Sequence, residues 1–193
     1  MDTDRAVSLE FDERIPLTML TARGEPWLGS REQALWRGQF RLSTQLLIRL
    51  DTALSSSTGL TIAEFAVLVA IAEGPLEGVR MSTIADFVMI SRSRLTHCVD
   101  RLEARGLVER IKAEDDRRGF LCTLCDEGRQ VLAEAVPVHV RGVRRYFTDL
   151  ITDDDELEVI ERFIGRVLHA LEPPDGEPPP DGHITIDDVA SRD

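Results

Sequence analysis

Apolar residues recur along this chain with two different periods, and the switch between them marks out its elements. From Ser30 onward, Trp36, Phe40, Leu47, Leu50 and Leu54 keep close to helical spacing until Gly59. Ser30 is the expected cap of that helix, with Gln33 in the reciprocal capping position. Thr61 and Glu64 form a second capping box and open a short helix from Ile62 to about Glu73, closed by Gly74–Pro75. Ser82 is placed to cap a brief helix through Phe87. Ser91 caps the next, which runs to Arg105 with Gly106 as its stop. Two strand-like runs follow, Leu107 to Lys112 and Gly119 to Cys125, joined by the polar tip Ala113–Arg118. Asp126 to Tyr146 reads as a helix that Pro137 should kink. Thr152 is the expected cap of the last helix, where Leu157, Ile160, Ile164, Val167, Leu168 and Leu171 form an apolar stripe.

Two short helices joined by a tight turn and followed at once by a hairpin make a winged helix-turn-helix. The fold class is therefore mainly α with a small β-hairpin wing. The flanking helices have more apolar stripe than one small core needs, which points to a homodimer. The expected organisation is an N-terminal arm (1–29), dimerisation helices (30–58 and 126–171), a DNA-binding lobe (59–125) and an acidic, Pro-rich tail (172–193). Ile15, Leu17, Met19, Leu20 and Trp27 make the arm too apolar for a free tail.

Charge changes this picture. The 193 residues include 35 acidic and 23 basic side chains, a formal charge of −12, which as a total argues against a nucleic-acid partner. Its distribution argues otherwise. The tail from Glu172 has seven carboxylates against Arg192, the cluster 153–158 has five with no base, and residues 1–14 have five against Arg5 and Arg14. The stretch Arg80–Arg118 reverses the sign, with nine bases against seven acids. The remaining composition, 42% hydrophobic and 30% charged, is that of a globular protein. The longest apolar run, Phe65–Ala72, is too short to span a bilayer, and no signal-peptide pattern opens the chain. The expected location is therefore cytoplasmic, with no membrane partner. Three cysteines, an odd number, argue against a disulfide framework.

On a helical wheel Leu95, Val99 and Leu102 share one face of the Ser91 helix, with Cys98 at its edge. Ser93, His97, Asp100 and Ala104 lie opposite, flanked by Arg94, Arg101 and Arg105. Small and polar side chains allow approach to base edges, and arginine pairs with guanine or phosphate. A solvated surface helix would show the same pattern. The candidate major-groove residues are Ser91, Arg92, Ser93, Arg94, Thr96 and His97. Arg80 and Ser82, near a helix N-terminus, are candidate phosphate contacts, and Arg101 joins them. Arg117 and Arg118 at the hairpin tip suit a narrow, negative minor groove, Arg118 being the favoured DNA-facing residue. Pairing with Asp115 or Asp116 would equally stiffen the wing, and Asp100 reads as structural.

Several of these runs together resemble the MarR family of transcriptional regulators. Leu60-Thr61-Ile62-Ala63-Glu64-Phe65-Ala66-Val67-Leu68 and Arg80-Met81-Ser82-Thr83-Ile84-Ala85-Asp86 are similar to parts of its regulatory core. The run from Ser91 to Arg110 is similar to its recognition helix and first wing strand. Asp116-Arg117-Arg118-Gly119 matches its wing, and Leu124 with Gly128-Arg129 its strand-to-helix junction. The resemblance covers about Gln33 to Leu171. It implies a ligand-responsive repressor that binds a palindromic double-stranded DNA operator as a homodimer, with the Ser91 helix in the major groove and the wing in the minor groove. It also implies a small aromatic or phenolic ligand bound between the DNA-binding lobe and the dimer helices, for which Trp36, Phe40, Phe65 and Phe87 are candidate lining residues.

Some members of that family sense oxidants through a cysteine. Cys125 stands where the family usually has threonine, at a helix start that can lower a thiol pKa, so it is the candidate reactive thiol. Buried, inert cysteines are the alternative. Cys122-Thr123-Leu124-Cys125 has no second pair and is poor for zinc. His139 and His169 read as helix-surface residues. No nucleophile–base pair, phosphate-binding glycine loop or metal motif appears, so neither an enzyme nor a cofactor is expected. The rival readings are a winged-helix protein-interaction module that has lost DNA binding, and a thiol-based redox regulator.

Overall fold

The computed structural model describes residues 28–112 and 119–171. Most of the arm, the wing tip with Arg117 and Arg118, and the acidic tail lie outside the described residues. The chain forms α1 (Ser30–Thr58), α2 (Ile62–Ala72), β1 (Val79–Arg80), α3 (Met81–Val88) and α4 (Arg92–Ala104). Then come β2 (Val108–Lys112), β3 (Phe120–Leu124), α5 (Asp126–Tyr146), a 3-10 turn (Thr148–Leu150) and α6 (Asp154–Leu171). The strands make one antiparallel sheet ordered β1-β3-β2. This is the mainly α, winged helix-turn-helix class expected from the periodicity. No single described helix is long and apolar enough to cross a membrane.

Two compact units meet within α1, one ending at Leu46 and the other starting at Leu47. In the first, Gly29 rather than Ser30 holds the cap position: its N–H donates to Glu32 Oε2 at 2.7 Å, and its carbonyl accepts from Gln33. Leu35, Trp36, Phe40 and Leu42 in this unit are exposed.

The core lies in the second unit. Leu50 and Leu54 of α1, Phe65, Val67 and Leu68 of α2, Ile84 of α3, Leu95, Val99 and Leu102 of α4, and Cys122 and Leu124 of β3 are all buried. Thr61 and Glu64 close the capping box in both directions, as their spacing requires. Asp51 adds a second restraint, accepting the Ile62 N–H at 2.7 Å and so tying α1 to the start of α2. Gly106, with φ 71°, ends α4 in the left-handed conformation that glycine adopts without a Cβ penalty.

Three local expectations shift. Arg80, not Ser82, holds the cap position of α3 and makes no side-chain cap bond, which puts Ser82 in the first turn. Asp153 caps α6 through the Glu156 N–H at 2.8 Å, while Thr152 precedes it and bonds the Glu156 carboxylate. The α5 helix spans Asp126–Tyr146 with Pro137 inside it, the extent its sequence indicates. The sheet gains a third strand, β1, whose Val79 and Arg80 pair with Cys122 and Leu121. Two residues are too few to show an alternating pattern, so the strand comes from its partner and not from its own composition.

Candidate nucleic-acid interface

The capping serine of α4 fixes where the interface begins. Ser91 has extended backbone, and its hydroxyl accepts the Arg94 N–H at 3.3 Å. Leu95, Cys98, Val99 and Leu102 are buried on one side of α4. Ser91, Arg92, Ser93, Thr96 and His97 are exposed, and Arg94 is half-exposed. The Thr96 hydroxyl donates to the Arg92 carbonyl at 2.9 Å, which points it back along the helix.

Arg80, Ser82, Arg92 and Thr96, scattered in sequence, come together in one cleft of about 760 Å³. It opens between the start of α3, the first turns of α4 and the base of the wing at Gly119 and Phe120. No carboxylate is among the described residues that line it. Guanidinium groups and hydroxyls around a concave wall, beside a helix N-terminus, are chemistry suited to phosphate oxygens.

Arg101 is placed differently. Its Nε donates to Glu64 Oε1 at 3.2 Å, and Arg105 Nη1 lies 3.6 Å from Glu64 Oε2. Glu64 is the buried charged residue of the described core, 4% exposed. Burying a carboxylate is costly unless it is paired and hydrogen-bonded, and Glu64 also accepts the Thr61 N–H at 3.0 Å. Arg105 donates in addition to the Gly59 carbonyl at 3.1 Å. The last turn of α4 is thus fastened to the α1–α2 junction, and Arg101 takes part in that fastening. Sequence reasoning treated Glu64 only as half of a capping box. Nothing local signals a pair 37 residues apart.

The Cys125 expectation reverses. Cys125 does hold the cap position of α5, but without a side-chain cap bond. Desolvation raises its pKa first, and the carboxylates of Glu109, Glu127 and Asp126 raise it further against Arg129. Desolvation and these acidic neighbours oppose the lowering that a helix start can give, so the shift runs against the direction expected for Cys125. Cys122 is buried, with its Sγ 3.3 Å from Met81 Sδ, and burial pushes its thiol up to about 11. Among the described residues no group of three or more His, Cys, Asp or Glu is placed to hold a metal ion.

The candidate ligand residues divide by burial. Trp36, Phe40 and Phe87 are exposed, and Phe65 is buried. Phe65 stacks at 4.7 Å, tilted by 32°, on His139. His139 is therefore not a plain surface residue, whereas His169 is exposed. The Nδ1 of His139 is buried with no hydrogen-bond partner, and desolvation lowers its pKa. The unfolded chain then takes up this proton more readily than the folded one. The stability that neutral His139 contributes is full above its unfolded pKa of about 6.5 and is lost as pH falls through that value toward the depressed folded one. His139→Phe is expected to flatten that part of the acid dependence. Melting temperatures of both proteins between about pH 7.5 and 5 check this, and parallel curves would refute it.

Similarity to known proteins bears on this geometry. A family model described as MarR family matches residues 58–119. The HTH-type transcriptional regulator PecS of Dickeya dadantii is 30% identical over 128 residues, covering 64% of this chain and 76% of PecS. A MarR family transcriptional regulator from Streptomyces coelicolor, solved in complex with DNA, superimposes with a TM-score of 0.75 at 33% identity, covering 80% of this chain and 97% of that one. The PcaV transcriptional regulator of Streptomyces coelicolor, solved in complex with its natural ligand, has a TM-score of 0.61 at 27% identity, covering 77% and 100% of the two chains.

Proposed function

This chain belongs to the MarR family of transcriptional regulators, and from that premise we propose that it is a repressor that binds a palindromic operator as a homodimer and releases it on binding a small aromatic ligand. The observation that carries the DNA reading is the cleft in which Arg80, Ser82, Arg92 and Thr96 meet at the start of α4, with no carboxylate among its described lining residues. A similar regulator from Streptomyces coelicolor was solved in complex with DNA, which supports a DNA partner for this chain. The candidate base-reading residues are Ser91, Arg92, Ser93, Arg94, Thr96 and His97. The candidate phosphate and wing residues are Arg80, Ser82, Arg101, Arg117 and Arg118.

Two protomers related by a two-fold axis read two half-sites, so a dimer implies a palindrome. Apolar side chains left exposed on α6, among them Phe163, Ile164, Val167 and Leu168, support dimerisation. The ligand response is supported by PcaV, which was solved with its natural ligand. A ligand that lowers operator affinity turns repression off, and this completes the regulatory reading.

Selection of bound fragments from the source genome, followed by mobility shifts on the recovered sites, tests the proposal. A shared inverted repeat and a strongly salt-dependent shift are expected. Arg118→Ala should weaken binding on every sequence and reduce the salt slope by about one unit. If the folded protein shifts none of the recovered fragments at any salt concentration, the DNA reading fails and the protein-interaction module takes its place.

A further inference from the structure

We infer that Arg110 is a positioning residue for DNA recognition: it splints α4 to the first strand of the wing and neutralises the carboxylates that α4 carries. This rests on the DNA-binding reading above. Arg110 sits on β2, opposite Cys122 of β3. Its Nη1 donates to Glu103 Oε2 at 2.7 Å and its Nη2 to Asp100 Oδ1 at 2.7 Å. The same Nη2 reaches the Thr96 carbonyl at 3.3 Å, and the Arg110 backbone N–H donates to Glu103 Oε1 at 3.2 Å. Thr96, Asp100 and Glu103 lie on one edge of α4 over about two turns. One residue of the sheet is therefore fastened along that edge by four bonds.

An isolated surface ion pair would do little, because water screens it and two long side chains must be ordered. This arrangement differs in two ways. The guanidinium side chain is 20% exposed, and both its short bonds are charge-assisted. Its planar fork also holds two carboxylates at once, which an ammonium cannot do in the same geometry. The consequence for recognition is geometric and electrostatic. Asp100 and Glu103 are the acidic residues of α4. Left unpaired, they would face a polyanion with two negative charges on the helix meant to enter its groove. Paired, they become the means by which the sheet sets the helix angle.

Arg110 also lines the cleft with Arg80 and Arg92, so it is necessary to separate positioning from direct phosphate contact. The test uses the full chain and an operator fragment recovered by genomic selection. Dissociation constants for operator and for unrelated DNA are measured across a salt series for the wild type, R110M, R110K, D100N/E103Q and the triple variant R110M/D100N/E103Q. Circular dichroism and melting confirm folding, with R110K standing in should R110M not fold. R110M is expected to lose roughly tenfold in operator affinity, and R110K to recover only part of it, because Lys restores the charge but not the fork. On the D100N/E103Q background, R110M should cost little more and leave the salt slope unchanged. D100N/E103Q should itself narrow the ratio of operator to unrelated DNA affinity. A full tenfold loss on that background, with the slope lower by about one, would instead make Arg110 a phosphate contact and overturn the inference. Unchanged operator affinity in R110M would overturn it as well. A wild type that binds no DNA would refute the underlying reading, a result visible before any variant is compared.

Discussion

Gly128→Ala should lower the melting temperature by about 10 °C or more, although the residue lies far from the cleft and alanine is the better helix former. The reason is where α5 begins. A Cβ on Gly128 would fall on the Leu107 carbonyl, far closer than carbon and oxygen can approach. That carbonyl cannot move aside cheaply. It accepts the Cys125 N–H at 3.0 Å, and the Leu107 N–H is held in turn by the Leu102 carbonyl at 3.0 Å. Leu107 and Leu102 are both buried, so any shift spreads into the end of α4 and the start of β2. Overpacking against backbone costs on the order of 3 kcal/mol, at the upper end of the usual range. Two other glycines calibrate the result. Gly165, in α6, has no atom near its would-be Cβ, and Gly165→Ala should be neutral or slightly stabilising. Gly106 also has open space but a φ of 71°, so Gly106→Ala should cost about 1 kcal/mol through backbone strain alone. Thermal melts of the three variants test the ordering. Gly128→Ala melting with the wild type would show that the strand-to-helix junction can relax.

That junction illustrates what one sequence reveals and what it conceals. The run from Leu124 to Gly128-Arg129 was legible as a boundary, but the reason for glycine was not, because Leu107 lies 21 residues earlier. Features set by neighbours three or four residues away were readable: the Thr61–Glu64 box, the Ser91 cap, the Gly106 stop and the buried side of α4. Each depends on helical geometry that spacing alone encodes. What spacing does not encode is the partner from another element. The candidacy of Arg101 was legible from its helix and charge, whereas its bond to Glu64 was not, because that depends on how α2 crosses α4. No role for Arg110 was legible in the sequence, because its partners Asp100 and Glu103 come from another element. Cys125 was correctly placed at a helix start, yet its pKa is raised first by desolvation and then by Glu109 across the hairpin, neither of which its local sequence encodes. The candidate groove-facing residues of α4 were readable because they follow from which face is buried, whereas their electrostatic surroundings were not.

The largest effect on function is expected from a residue that lies outside both the cleft and the core. Leu168→Glu should convert the proposed dimer to a folded monomer and reduce operator affinity by about 100-fold or more. No residue of α6 is buried within the protomer, yet the helix presents Leu157, Phe163, Ile164, Val167, Leu168 and Leu171. Apolar surface on that scale is seldom left to water, and a second copy of the same helix face is the covering that two-fold symmetry supplies. A carboxylate introduced on that face would lose hydration without gaining a partner, which costs several kcal/mol at the interface. Because no residue of α6 is fully buried in its own protomer and Leu168 is 58% exposed, the same substitution should leave the helical content unchanged. Two linked half-site contacts then become independent ones, and the gain from binding the second half-site intramolecularly disappears. Light scattering at micromolar concentration reports the mass, and a mobility shift on full and half operators reports the affinity. In the monomer the two operators should bind alike, whereas the wild type should strongly prefer the full site. A Leu168→Glu protein that keeps the dimer mass would remove α6 from the interface. One that becomes monomeric yet still favours the full palindrome would show that specificity does not depend on the two-fold arrangement.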